Sequence, residues 1–311
     1  MSLTGERPLL AESTNSANGY SRVAALLTLA PSGAIVVTMC ALRSIQTVKH
    51  PWVYPALYFG FVFVLTTPFL MAGSYLPPLA AGLPASSLAV VCPTLAALIV
   101  TRCFEGREGQ RGLIGSTRLP ANKREWYWCA LAVSLPIAVT LASAWWQGVS
   151  NENERLGLRP LPMLALTFPF VLGAWLEEFG WSGYATERLV PACGALRAAL
   201  IIGAVWSIWH YVPLLQVNRP TVWIAWWTLG TVAVRLILVR IFLRGGRIVW
   251  APTLFHASDS ICWQAQQTLG VAFDPRVHGI AMTAMAVAMW ALVPDRPLND
   301  RIRGESSRHR E

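Results

Sequence analysis

What most constrains this chain is a succession of apolar stretches, each close to the roughly 20 residues that a helix needs to cross a bilayer. They fall near 23–42, 54–76, 84–101, 126–147, 161–180, 197–215, 221–243, 248–270 and 279–294, and the long hydrophilic connection is 102–125. In hydrocarbon no water satisfies the backbone, so each stretch must close its hydrogen bonds within itself. An all-α transmembrane bundle of about eight to nine spans is the expected fold. Composition agrees, because charged residues are 13% of the chain where a soluble domain carries about a quarter.

The net charge of +9 could suggest nucleic acid, but the basic residues fall between apolar stretches and no nucleic-acid motif is present. That pattern sets membrane orientation. The richer set, which includes Arg102, Arg107, Arg111, Arg118, Lys123 and Arg124, marks the cytoplasmic side, where Glu177 and Glu178 then also end. The six cysteines show no C-x-x-C spacing and read as small hydrophobes. Trp52, Trp126, Trp146, Trp181, Trp223 and Trp250 lie near stretch ends, as in an interfacial aromatic belt.

Glu177 and Glu178 are adjacent carboxylates at the end of an apolar stretch. An ionised carboxylate in hydrocarbon is costly unless paired, so either both are wetted at the interface or they belong to a site. Other polar residues in apolar stretches bear on the choice. Trp206-Ser207-Ile208-Trp209-His210 and Phe255-His256-Ala257-Ser258-Asp259-Ser260 each bury a histidine, and His256 and Ser260 are four apart, hence on one helix face. A lone buried histidine is more often a hydrogen-bonded core residue. Two glutamates and two histidines satisfy one another best by converging on one polar cavity.

Such a cavity holds the equipment for amide hydrolysis: a carboxylate to take a proton from water, an imidazole to share it, and donors for an oxyanion. Gly180-Trp181-Ser182-Gly183 lacks the spacing of a G-x-S-x-G nucleophile elbow. Glu177, His210 and His256 could instead hold zinc, from three separate helices and without an H-E-x-x-H pair. The cofactor is accordingly none or zinc. Arg235, deep in its stretch, suits an ion pair with an interior carboxylate or a substrate-carboxylate site; Arg240, nearer the end, is expected to snorkel.

Glu177-Glu178-Phe179-Gly180-Trp181-Ser182-Gly183-Tyr184 followed by Arg188-Leu189, Trp206 to His210, and His256 to Ser260 resemble three ordered motifs. They are the E-E-x-x-W-R-G-Y, aromatic-x-x-x-H and H-x-x-x-N/D motifs of the CAAX prenyl protease and bacteriocin-processing family of intramembrane peptidases (CPBP, or Abi). Cys92-Pro93-Thr94 with Glu105-Gly106-Arg107 is similar to the family's lead-in, so the resemblance covers about 84–270.

The resemblance implies an endopeptidase of the bacterial plasma membrane that acts on a peptide or protein substrate entering from the cytoplasm. Glu177 would activate water with His210 assisting, His256 and Ser260 would form the oxyanion side, and Glu178 would support them. Eukaryotic members trim prenylated C-termini, whereas bacterial relatives are linked to peptide maturation or bacteriocin self-immunity, so a prenylated substrate is not implied. The expected organisation is a disordered polar tail 1–20, N-terminal helices and a cytoplasmic loop over 21–160, a catalytic core 161–270, and a final span with a basic tail over 271–311.

Two residues depart from the family pattern. Ser182 replaces an arginine, removing a cation beside Glu178 for which Arg188 could substitute, and Ser260 replaces Asn or Asp, leaving a hydroxyl donor with Asp259 as its neighbour. A catalytically silent scaffold or immunity protein of the same fold is the alternative. A proton-relay transporter would lack its usual pair of broken helices. One tension stands: His210 lies about 20 Å along its helix from Arg197 at 1.5 Å per residue, deep for a cavity open to the cytoplasm.

Overall fold

The computed structural model describes residues 50–77, 79, 83–146, 160–268 and 273–293. The tail 1–20, the stretch 23–42 and the basic tail after Val293 lie outside them. Among the described residues all regular structure is helical. Helix α1 is Val53–Tyr75. A 3-10 turn, Ala85–Val91, runs into α2 (Cys92–Val100), a π-helical stretch (Thr101–Glu105) and α3 (Gly106–Gly115). Then come α4 (Lys123–Trp146) and α5 (Pro160–Gly180), which continues through a second π-helical stretch (Trp181–Thr186) into α6 (Glu187–Cys193). Helices α7 (Ala195–Gln216), α8 (Thr221–Arg244), α9 (Trp250–Thr268) and α10 (Pro275–Leu292) complete the bundle.

The helices follow the apolar stretches. Five runs among the described residues are long and apolar enough to cross a membrane: α1, Ala85–Gly115, α4, α7 and α8. Pro93 does not break its stretch because it sits in the first turn of α2, where the missing N–H would have had no intrahelical partner. The hydrophilic 102–125 connection is itself helical to Gly115. Between α6 and α7 the chain turns at Gly194, whose φ of 82° suits a residue without Cβ.

Helix α8 is the central post. Ile237, Leu238, Val239, Ile241 and Phe242 are all fully buried, as expected of a helix apolar on every side, and α8 packs against both α7 and α10. Helix α5 lies against α9 and α2, and α9 against α4. Leu141, Trp145, Phe168 and Val287 face outward, large apolar groups that suit a lipid-facing surface. Trp52, Trp126 and Trp146 are exposed, but Trp181 is not interfacial: it is fully buried, with ring centroids 5.6 Å from Tyr58 and 6.0 Å from Trp209. Arg240 likewise does not snorkel; it is buried with its guanidinium 4.2 Å from the Trp290 ring centroid.

The connections gather at two ends. At one, Val249 N donates to Ser116 O at 2.9 Å, Trp250 Nε1 to Thr117 O at 3.0 Å, and Arg247 Nη1 to Glu187 Oε1 at 2.6 Å. At the other, Ser86 Oγ donates to Gln216 Oε1 at 2.6 Å, Gln216 Nε2 to Leu70 O at 2.7 Å, and Trp263 stacks on Phe273 at 4.9 Å. Asp274 caps α10 there by accepting from Arg276 N at 2.8 Å. The Arg276 side chain, together with the backbone N–H groups, holds the Asp274 carboxyl below the usual carboxylate range.

Candidate active site

Successive residues on an α-helix point about 100° apart, so Glu177 and Glu178 at the end of α5 cannot serve the same face. Glu178 turns into the packing and is fully buried. Its carboxylate accepts two parallel bonds from Arg235 of α8, Nη1 to Oε2 at 2.8 Å and Nη2 to Oε1 at 3.0 Å. It also accepts from Ser182 Oγ at 2.5 Å and meets His256 Nδ1 at 3.1 Å. A buried charge on this scale is tolerated because it is paired and its remaining lone pairs are met. The guanidinium is covered in turn by the Trp206 ring, 4.1 Å from its centroid.

Glu177 turns the other way, into a cavity of about 580 Å³ that His210, His256 and Ser260 also line. Glu178, Ser182 and Arg235 are not among its lining residues. Glu177 Oε2 accepts from Trp206 Nε1 at 2.8 Å. The two histidines each pack against that same indole with their rings nearly perpendicular to it, centroids 5.3 Å (His210) and 5.2 Å (His256) away.

The histidine tautomers follow from what their Nδ1 atoms meet. His210 Nδ1 lies 2.8 Å from Trp206 O, and a carbonyl only accepts, so Nδ1 carries the proton. His256 Nδ1 faces the Glu178 carboxylate, with the same consequence. Both imidazoles therefore hold Nε2 available for other partners.

Against this geometry, residues 159–261 match the family model described as type II CAAX prenyl endopeptidase, Rce1-like. A stretch of 52 residues is 40% identical to CAAX prenyl protease 2 of Methanococcus maripaludis, over 17% of this chain and 19% of that protein. Over this stretch the chain is similar to the CPBP family. The chain spans about a fifth of the length of the curated relative it matches.

The departures from the CPBP motifs have structural counterparts. Where the family carries arginine, Ser182 is a hydroxyl donor to Glu178, and the cation comes from Arg235. Arg188 does not take that place: its Nε donates to Glu105 Oε1 at 3.2 Å, its Nη2 bonds Glu105 Oε2, and its guanidinium lies over Tyr184. Tyr184 OH donates to the same Glu105 at 2.7 Å, so the two π-helical stretches are tied together through one carboxylate. Asp259 lines the cavity beside Ser260, but its carboxylate faces His278 Nε2 at 3.0 Å.

Sequence reasoning did not single out His278, the indole donor of Trp206, or Tyr58, whose hydroxyl is buried in the packing without a hydrogen-bond partner. Trp206 lay inside a quoted motif, and its N–H was the available signal. Among the described residues no group of three His, Cys, Asp or Glu side chains could hold a metal ion. Glu177, His210 and His256 thus share a cavity without forming a zinc ligand set. Among the described residues the lining of the cavity includes Leu79, Leu83, Pro84, Arg219 and Phe273, at the end of the bundle opposite the connections joined through Ser116 and Glu187.

Proposed function

We propose that this chain is an intramembrane endopeptidase that hydrolyses a peptide bond by glutamate-activated water. The observation that carries the reading is the division of labour between the paired acids. Glu178 is spent on Arg235, Ser182 and His256, whereas Glu177 faces the cavity with one oxygen fixed by Trp206. A carboxylate so held presents its second oxygen to a water molecule as a general base.

In the proposed reaction the water oxygen attacks the scissile carbonyl carbon as Glu177 takes its proton. The neutral His210 Nε2, a lone-pair acceptor, shares that task. The oxyanion is met by the Ser260 hydroxyl and by His256, whose Nε2 donates when the ring is protonated against Glu178. Collapse breaks the C–N bond, and the Glu177 proton passes to the leaving amine. A mostly apolar cavity lining suits a peptide segment with apolar side chains around the cleaved bond. The M. maripaludis relative is named for prenyl substrates, and peptides with and without a prenyl group are the natural first panel.

The test is turnover of quenched fluorescent peptides by purified protein in detergent. Glu177→Gln and His256→Ala are each expected to reduce kcat about 100-fold or more, the scale of general acid–base contributions, with the thermal midpoint of Glu177→Gln kept near wild type. A cellular phenotype unchanged in a stably inserted Glu177→Gln protein would instead favour the silent scaffold.

A further inference from the structure

We infer that Arg219 is an anion subsite of the cavity and takes a carboxylate of the peptide substrate. The inference rests on the hydrolytic reading for its substrate, while the subsite itself comes from the turn between α7 and α8. That turn is tightly built. Asn218 sits at a φ of 57°, a left-handed backbone that asparagine adopts more readily than most residues. Its N–H donates to Leu215 O at 2.9 Å, the N–H of Arg219 donates to Leu214 O at 3.0 Å, and Pro220 follows as the residue before α8. Arg219 therefore projects from a backbone with a defined shape.

Its side chain is held as well. The guanidinium carbon lies 4.7 Å from the Trp223 ring centroid, and Trp223 packs in turn on Trp263 and Phe273, with centroids 6.0 Å from each. Trp263 and Phe273 line the cavity together with Arg219, the one Lys or Arg in that lining among the described residues. What this cation lacks is an anion. Arg118, Arg188, Arg235, Arg247 and Arg276 each meet a carboxylate. Among the described residues Arg219 meets none, and its buried Nε has no hydrogen-bond partner. The acids of the cavity are turned elsewhere: Glu177 accepts from Trp206, and Asp259 faces His278.

A buried N–H left unmet is rare enough to call for a ligand. Stacking on an indole occupies one face of a guanidinium and leaves its edge of N–H donors open. That edge matches a carboxylate, with which it can form two parallel bonds. A peptide in the cavity has two sources of such a group, its free C-terminus and an Asp or Glu side chain. Either would lie on the part of the substrate that runs from Glu177 toward the turn between α7 and α8. Arg219 then acts in binding and not in the chemical step, so its effect belongs in KM.

The test uses the whole chain in detergent and two sets of quenched peptides without other acidic residues. Peptides of the first set differ only in a free or an amidated C-terminus. Those of the second are all amidated and differ only in one Glu or Gln, moved along the sequence from peptide to peptide. Wild type is expected to favour the acid in one set about 10-fold or more in kcat/KM, the scale of a hydrogen-bonded charge, with the difference in KM. That ratio should fall to near one in Arg219→Gln and to an intermediate value in Arg219→Lys. The set that shows the preference names the source of the carboxylate. Equal treatment of acid and neutral peptides by wild type overturns the inference whether or not the variants fold, as does a preference that Arg219→Gln keeps. If wild type hydrolyses none of the peptides, the peptidase reading fails and binding alone reads the subsite, by fluorescence anisotropy of the same sequences carrying one dye. Tighter binding of the acid that is lost in Arg219→Gln then supports the subsite, and equal binding overturns it. A phosphatidylglycerol retained by purified wild type and lost from Arg219→Gln, with acid and neutral peptides treated alike, would make Arg219 a lipid-headgroup contact and overturn the inference too.

Discussion

Arg235 and Glu178 join α8 to α5 by two parallel hydrogen bonds of 2.8 and 3.0 Å, with neither side chain exposed. The pair stands one residue from Glu177 and fixes the end of α5 from behind, while His256 uses the same carboxylate to set its ring. Two helices of the candidate site thus share one anchor.

Removing one partner leaves an uncompensated buried charge, which costs about 3–5 kcal/mol. Arg235→Met and Glu178→Gln are both expected to lower the thermal midpoint in detergent, Arg235→Met more, because it strands the carboxylate. The double variant should lose clearly less than the two single losses added. Strict additivity in that cycle would show that the pair does not act as a unit.

Trp206→Phe keeps most of the ring that packs on His210, His256 and Arg235 but deletes the donor to Glu177 Oε2. A hydrogen bond to a charged group is worth about 1.5–3 kcal/mol, so kcat should fall roughly 10- to 100-fold with KM little changed. The check is a kcat and KM split on the same peptide. A rise in KM with unchanged kcat would make Trp206 a substrate-binding residue and not a positioning one.

Much of this arrangement could be read from the chain because lipid makes polar residues conspicuous. Glu177, His210, His256 and Ser260 stood out as costly groups in apolar stretches, and all of them line one cavity. The ion pair of Arg235 was foreseen in kind, without its partner. The partner was not legible because Glu178, fifty-seven positions away, differs from Glu177 only by its rotation about α5. Arg188 misled for a related reason: sequence proximity placed it near Glu178, but the π-helical stretch between them shifts the helix face, and Arg188 finds Glu105. The end of the bundle that the cavity lining reaches depends on which helix ends leave a gap, which hydropathy does not encode.

Gly180 shows another feature that hydropathy hides. A Cβ there would lie 2.5 Å from the Pro93 carbonyl oxygen and 2.5 Å from the Tyr58 hydroxyl, so glycine lets α5 approach the start of α2. Beside it Thr94 Oγ1 donates to Leu176 O. Gly180→Ala should therefore destabilise by about 1–3 kcal/mol, the usual cost of overpacking. Gly60→Ala, where a Cβ meets nothing within 4 Å, should be neutral or slightly stabilising, since alanine is the better helix former. Equal thermal midpoints for the two variants would refute the close approach.

The last prediction separates water activated by a carboxylate from water activated by zinc. A catalytic zinc takes three protein ligands and keeps one open position, and each ligand is usually oriented by a further hydrogen bond. Here Glu177 is oriented by Trp206 and His256 by Glu178, which resembles such support. The three side chains nevertheless do not gather as a ligand set, and both imidazoles pack against the Trp206 indole. Bringing them around one ion at about 2 Å would require these side chains to shift from the positions they hold against Trp206. Activity is therefore expected to survive exhaustive dialysis against a strong chelator, and the purified protein to carry well under about one zinc per chain, the ratio a catalytic site needs. Activity lost on dialysis and restored by zinc at that ratio would show that the site closes around a metal, and would replace Glu177 as the activator of water while leaving its place in the cavity unchanged.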